Sequence, residues 1–206
     1  MKPLYITAGH QILRSTGTGA HGIKEANGKQ FDEGVEARKL ANDIINHQIR
    51  WYGGHIKTDS DTDSLATVIS KQKTWMQAYP DGVAMDIHFN AASQAATGVE
   101  VYIPTQYSQD ELTLATALVN GLSDVQGLKR RSGSLKNFPG VKMEHESQHT
   151  SIGILRQPYK LTSVLIEVCF CTNPIDVQRY RSNYWDLVKR LSDEIGNFRN
   201  NYKPFV

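Results

Sequence analysis

The chain is expected to fold as a single α/β domain, with a mostly parallel, twisted sheet and helices on both faces. Short apolar runs of β-favouring residues alternate along it with stretches of helical periodicity, the pattern of βαβ crossovers. Its 206 residues, 39% of them hydrophobic, suffice for one substantial core and are few for two. No internal repeat or linker divides them, so residues 1–206 are taken as one catalytic unit.

Residues 3–8 are the first buried strand. A glycine-rich connector from Gly17 to Gly28 follows, with no periodicity. Asp32 and Glu33 open an amphipathic helix marked by Val35, Ala37, Leu40, Ala41, Ile44, Ile45 and Ile49, and Gly53-Gly54 stops it. His55 to Thr58 is a short strand, and Ser64 to Tyr79 a second helix closed by Pro80-Asp-Gly82. Val83–Phe89 and Val99–Ile103 are strands, and Asp110 to Val125 is a third helix. Residues 129–150 are polar and irregular, and Ile152–Leu155 is a short apolar element. Thr162–Phe170 is the strongest strand; Asn173-Pro174 then launches a helix, and a last one runs to about Asn200.

A formal net charge of +2 demands neither nucleic acid nor a membrane surface as partner. The start lacks a secretory leader and no run reaches transmembrane length. Synthesis in the cytoplasm is therefore expected, with action on an external target after release or export, by a monomer. Cys169 and Cys171 sit two apart on a strand, poorly placed to bond to each other, and read as core fillers. Trp51, Trp75 and Trp185 fall in helical patterns and are expected to pack. Lys129-Arg-Arg131 reads as a solvated loop with an option on an anionic peptide.

Function is written in three interruptions of apolar runs. His10 closes Pro-Leu-Tyr-Ile-Thr-Ala-Gly-His, His88 closes Gly-Val-Ala-Met-Asp-Ile-His, and Glu167 lies inside Thr-Ser-Val-Leu-Ile-Glu-Val. Ionisable groups at the ends of buried strands are costly to desolvate unless something binds them. Active sites of such sheets gather at the strands' carboxyl ends. Two imidazoles and one carboxylate, with a fourth position open, is a catalytic zinc set. Glu25, Glu33 and Glu36 are all candidates for the carboxylate. A competing signal is His145-Glu146-Ser-Gln-His149, the H-E-x-x-H of zinc proteases, but Pro139-Gly140 before it and Thr150-Ser-Ile-Gly153 after it deny it the helix it needs.

Seven pieces occur in order: Ile6-Thr-Ala-Gly-His10, Thr18-Gly-Ala20, Glu33, Met85-Asp-Ile-His-Phe-Asn-Ala91, Gly98-Val-Glu-Val-Tyr102, Ile154-Leu-Arg156, and Val164-Leu-Ile-Glu-Val-Cys-Phe170 with Thr172-Asn173. Over residues 3 to 185 the chain thereby resembles the zinc-dependent N-acetylmuramoyl-L-alanine amidases that cut peptidoglycan, including phage endolysins. The resemblance implies His10, Glu33 and His88 as Zn2+ ligands, Glu167 as the catalytic glutamate, and Asn90 and Arg156 as substrate-binding residues. It also implies a lytic, wall-degrading enzyme that opens the amide between muramic acid and L-alanine. The rivals are a protease using His145, Glu146 and His149, and a non-catalytic wall-binding relative.

Overall fold

A computed structural model of the chain describes residues 1–13, 16–17, 19–148, 152–155 and 161–200. Its strands are β1 (Leu4–Ala8), β2 (Ile12–Leu13), β3 (Thr16–Gly17), β4 (His21–Lys24), β5 (Gln30–Asp32), β6 (Ile56–Thr58), β7 (Val83–Asn90), β8 (Glu100–Ile103), β9 (Val141–Met143) and β10 (Thr162–Phe170). Its helices are α1 (Glu33–Trp51), α2 (Leu65–Ala78), α3 (Gln109–Gln126), α4 (Pro174–Ser182) and α5 (Tyr184–Arg199). Six strands form one sheet in the order β6-β1-β7-β10-β8-β9, parallel throughout except where β8 runs against β10. The expected fold class is therefore present. The glycine-rich connector differs from expectation, since β2–β3 and β4–β5 pair there as two small ribbons.

Strand periodicity decides which side chains reach the site. Alternate residues point to opposite faces. Leu4, Ile6, Ala8, Val83, Met85, Ile87, Val164, Ile166 and Val168 enter the main core, with residues of α1, α3, α4 and α5. The intervening positions face the other way. There Val68 of α2 packs with Tyr102 and Leu165, and Met76 and Trp75 pack with Ala84. That face also carries Thr7, Asp86, His88, Glu100 and Glu167, the polar residues of the central strands.

Two of the three tryptophans depart from expectation. Trp75 stacks on Tyr5 with ring centroids 5.4 Å apart, but Trp51 and Trp185 are exposed on the outer surfaces of their helices. The cysteines behave as expected: both thiols are free and buried, and burial pushes them up in pKa.

The two ends of the described chain are tied by Arg199, which is 0% exposed and faces carbonyl oxygens rather than a carboxylate. Its guanidinium donates to Lys2 O at 2.8 Å, Gln48 Oε1 at 2.6 Å and Gly53 O at 3.1 Å. Desolvation without a counter-ion pulls its pKa down to about 10. Arg199→Ala strands these three acceptors, so it is expected to cost roughly 3 kcal/mol. At this chain length that is a fall in Tm of about 6–12 °C. Thermal unfolding followed by circular dichroism reads it, and an unchanged Tm would contradict the clasp.

Candidate metal centre and cavity

Asp32 caps α1, its side chain accepting from Val35 N, which leaves Glu33 free to turn inward at the first helical position. Glu33 is buried at 4% exposure. One oxygen, Oε2, accepts from Ala20 N at 2.7 Å. The other, Oε1, accepts from Phe89 N at 3.1 Å and faces His88 Nδ1 at 3.1 Å and His10 Nε2 at 3.2 Å. Glu33 is thus the acid that approaches both histidines. The other two candidates are committed elsewhere, since Arg181 bridges Glu25 at 2.8 Å and Glu36 at 2.6 Å.

The three side chains reach one point. One ligating atom of each lies within 4.8 Å of the other two, in the one such grouping among the described residues. Four ligands placed tetrahedrally about zinc, with bonds near 2.0–2.1 Å, stand about 3.3 Å apart. The His–Glu separations of 3.1 and 3.2 Å match that spacing, so the donor set suits the ion in chemistry and in size. The close approach also explains two glycines. A Cβ on Gly9 would lie 2.1 Å from the His88 ring, and one on Gly19 would lie 2.6 Å from both Glu33 Oε2 and His10 Cδ2.

His88 is oriented from behind. Its Nε2 meets Asp86 Oδ2 at 3.0 Å, and Asp86 Oδ1 accepts from the Thr7 hydroxyl at 2.7 Å. Such a carboxylate fixes the ring and leaves Nδ1 toward the ion site. Burial alone would lower the His88 pKa, but Asp86 and then Glu33 hold it well above the ordinary histidine value. Burial would likewise raise Glu33, and the bonds to His10 and His88 bring it far below the carboxylate range.

Sheet register then lines up the chemistry. His88 on β7 lies beside Glu167 on β10, and Glu167 beside Glu100 on β8. Glu167 Oε2 is shielded from solvent and, among the described residues, accepts no hydrogen bond. Desolvation pushes its pKa up to about 8, opposed by His88. Glu100 is saturated: Oε1 accepts from Asn90 Nδ2 at 2.5 Å and Tyr102 OH at 3.1 Å, and Oε2 meets Lys142 Nζ at 2.6 Å and Arg131 Nε at 2.9 Å. All these groups line one cavity of about 790 Å³. Leu65, Val68, Ile154 and Leu165 give it an apolar arm, and Asn90, Glu100, Arg131 and Lys142 a polar one.

Arg131 lies in a loop, as expected, but its side chain is only one-third exposed and lines the cavity. Asp86, Glu100 and Lys142 are site residues that sequence reasoning passed over. The alternation Asp86-Ile-His88 and Glu100-Val-Tyr102 was the available signal for the first two. Asn90 reaches the cavity, whereas Arg156 lies outside the described residues, as do Thr18 and His149. The H-E-x-x-H segment forms a 3-10 turn over Glu144–Glu146, and Ser147 is extended at ψ 161°. His145 meets Thr105 Oγ1 at 3.2 Å, and Glu146 accepts from Ser134 N, Ser134 Oγ and Met143 N at 2.8–2.9 Å. Over the described part of the motif, residues 145–148, no α-helical turn forms.

A family model described as N-acetylmuramoyl-L-alanine amidase matches residues 4–197. Among solved structures, the catalytic domain of the CD27L endolysin targeting Clostridia difficile is similar, with 23% identity, 96% of this chain and 98% of that one covered, and a TM-score of 0.68. The catalytic domain of CwlV, an N-acetylmuramoyl-L-alanine amidase from Bacillus (Paenibacillus) polymyxa var. colistinus, aligns at 18% identity over 98% of both chains, with a TM-score of 0.68. An uncharacterised protein of Clostridium perfringens is 27% identical over 186 residues. This chain spans 49% of that relative's length.

Proposed function

The chain belongs to the N-acetylmuramoyl-L-alanine amidase family, and we propose that it is a zinc-dependent hydrolase. Its substrate would be the amide between the lactyl carbonyl of N-acetylmuramic acid and the stem L-alanine, in a lytic, endolysin-like role on the cell wall. The carrying observation is the convergence of His10 Nε2 and His88 Nδ1 on Glu33 Oε1, beside a Glu167 whose Oε2 is shielded and, among the described residues, without a hydrogen-bond partner.

His10, Glu33 and His88 would hold the ion. Zinc in that position supplies Lewis acidity, which makes water nucleophilic near neutral pH and polarises an amide carbonyl. Glu167 takes a proton from the attacking water as oxygen bonds to the lactyl carbon. The C–N bond then breaks, and Glu167 returns that proton to the departing alanine nitrogen. A carboxyl pushed up to about 8 is matched to both transfers. Asp86 keeps the His88 ring in place during both steps. Asn90, with one amide hydrogen on Glu100, offers the second to the substrate. The same role for Arg156 concerns a residue outside the described set. Catalysis is assigned to the unit formed by residues 1–206. No described helix is long and apolar enough to cross a membrane, in keeping with a substrate met at the wall.

Digestion of purified peptidoglycan tests this reading. Intact stem peptides with new L-alanine amino termini are expected, suppressed by chelator and restored by zinc. New reducing sugar ends would mean a glycosidase. Cuts within the stem that vanish in Glu146→Gln would mean a protease; under the amidase reading this variant keeps activity within about fivefold, because Glu146 is held by Ser134 and Met143.

A further inference from the structure

The amidase chemistry uses the His10–Glu33–His88–Glu167 end of the cavity and Asn90 of its polar arm, and leaves Arg131 and Lys142 in that arm without a task. Arg131 enters that arm with its position fixed at several points. Its backbone N donates to Val99 O at 3.1 Å and its carbonyl accepts from Gly140 N at 2.8 Å. Its Nε is held by Glu100 Oε2 at 2.9 Å, and its guanidinium carbon lies 4.8 Å from the centre of the Phe170 ring. Among the described residues, neither Nη group has a protein acceptor, and the side chain is one-third exposed, at 33%. A guanidinium so braced through Nε presents its two terminal nitrogens as a planar fork, the geometry that matches a carboxylate.

The surroundings favour an anion. Glu100 is the carboxylate nearest Arg131, and it already faces a second cation, Lys142 Nζ, at 2.6 Å. Glu146, the other acid on this wall, has its oxygens turned to Ser134 and Met143. In a muramyl peptide the lactyl carboxyl is consumed in the scissile amide, so free carboxylates lie on the peptide side. The peptide is therefore the anionic half of the substrate, the half suited to a wall that carries Arg131 and Lys142.

We infer that Arg131, braced by Glu100 and Phe170 and accompanied by Lys142, is a specificity-determining residue that binds a free carboxylate on the stem peptide. The peptide then runs from Glu167 over β8 toward β9, with the sugar on the other side. This inference rests on the amidase reading and deepens it.

Two synthetic muramyl peptides test it, identical except that the second stem residue carries a free α-carboxylate in one and a carboxamide in the other. The wild-type protein, loaded with zinc, is expected to favour the acid by about 10- to 100-fold in kcat/KM, the scale of a charge-assisted bidentate contact. Arg131→Gln brings the acid-to-amide ratio to near one, mainly through KM on the acid. Arg131→Lys keeps the charge, loses the fork and gives an intermediate ratio. An Arg131 that served only to hold Glu100 would slow both substrates alike and leave the ratio untouched. A wild-type ratio near one, or an undiminished ratio in Arg131→Gln, overturns the inference while the amidase reading stands. Turnover of neither substrate by the wild-type protein overturns the amidase reading itself, and the inference with it.

Discussion

Glu167→Gln is expected to lose about 10²- to 10⁴-fold in kcat, the usual contribution of a positioned proton carrier, and to become more stable in the metal-free protein. Glutamine preserves shape but can neither take nor return a proton. The gain in stability follows from burial, which raises the Glu167 pKa from 4.5 to about 8. Below pH 4.5 the carboxyl is protonated in both folded and unfolded chains and contributes nothing. As pH rises from 4.5 to about 8, the unfolded chain ionises this group and the folded one resists, so folding is penalised progressively by up to a few kcal/mol. Glutamine carries no such penalty. Metal-free Glu167→Gln should match the wild type in denaturant midpoint near pH 4 and exceed it near pH 8. Equal midpoints at both pH values would show that Glu167 is not desolvated, and near-full activity would remove it from the proton path.

A site that carries such a strained acid is legible in sequence wherever the acid interrupts an apolar run. His10, His88 and Glu167 were visible for that reason, and so was the parallel sheet, because its strands read as long apolar segments. Glu33 was different. Spacing left Glu25 and Glu36 open beside it, and resemblance made the choice. The structure supplies the missing reason, for Arg181 takes both alternatives. Asp86 and Glu100 were hidden by the opposite circumstance: each lies inside an apolar strand, yet hydrogen-bonded partners satisfy it, and no local pattern names partners 79 or 31 residues away. Lys142 lies on β9, three residues long, paired only at the sheet edge and too short for periodicity to mark. Arg131 precedes it in the same irregular stretch. The small ribbons β2–β3 and β4–β5 escaped for a related reason. Glycine-rich chain declares freedom and not conformation, and only the reciprocal bonds between Ala20 and Glu33 show why this connector must double back.

Those bonds set the stakes of the second large effect, Glu33→Gln, which should weaken zinc binding by at least about 100-fold and lower activity with it. A glutamine offers one oxygen where Glu33 uses two. Either Ala20 N or the cluster of Phe89 N, His10 and His88 then confronts an amide NH₂. Loss of an outer partner of a metal ligand costs about 10- to 100-fold in affinity, so loss of a charged ligand should cost at least about 100-fold. Thermal shift separates this from simple unfolding. Zinc at 100 times its dissociation constant stabilises the wild type by about 2.7 kcal/mol, or roughly 5–11 °C at this chain length. At the same zinc concentration, a variant weakened about 100-fold gains only about 0.4 kcal/mol. The variant should therefore show a folded circular dichroism spectrum, no more than about half a zinc per chain at that concentration, and a zinc-dependent rise in Tm of about 1–2 °C at most. Its metal-free stability should also lose the acid sensitivity of the wild type. Glu33 ionises far below its unfolded value, so its stabilising contribution is present above pH 4.5 and fades as pH falls below it. Wild-type zinc content in a folded Glu33→Gln protein would move the metal away from these three side chains, and Glu167 would then have no electrophile beside it.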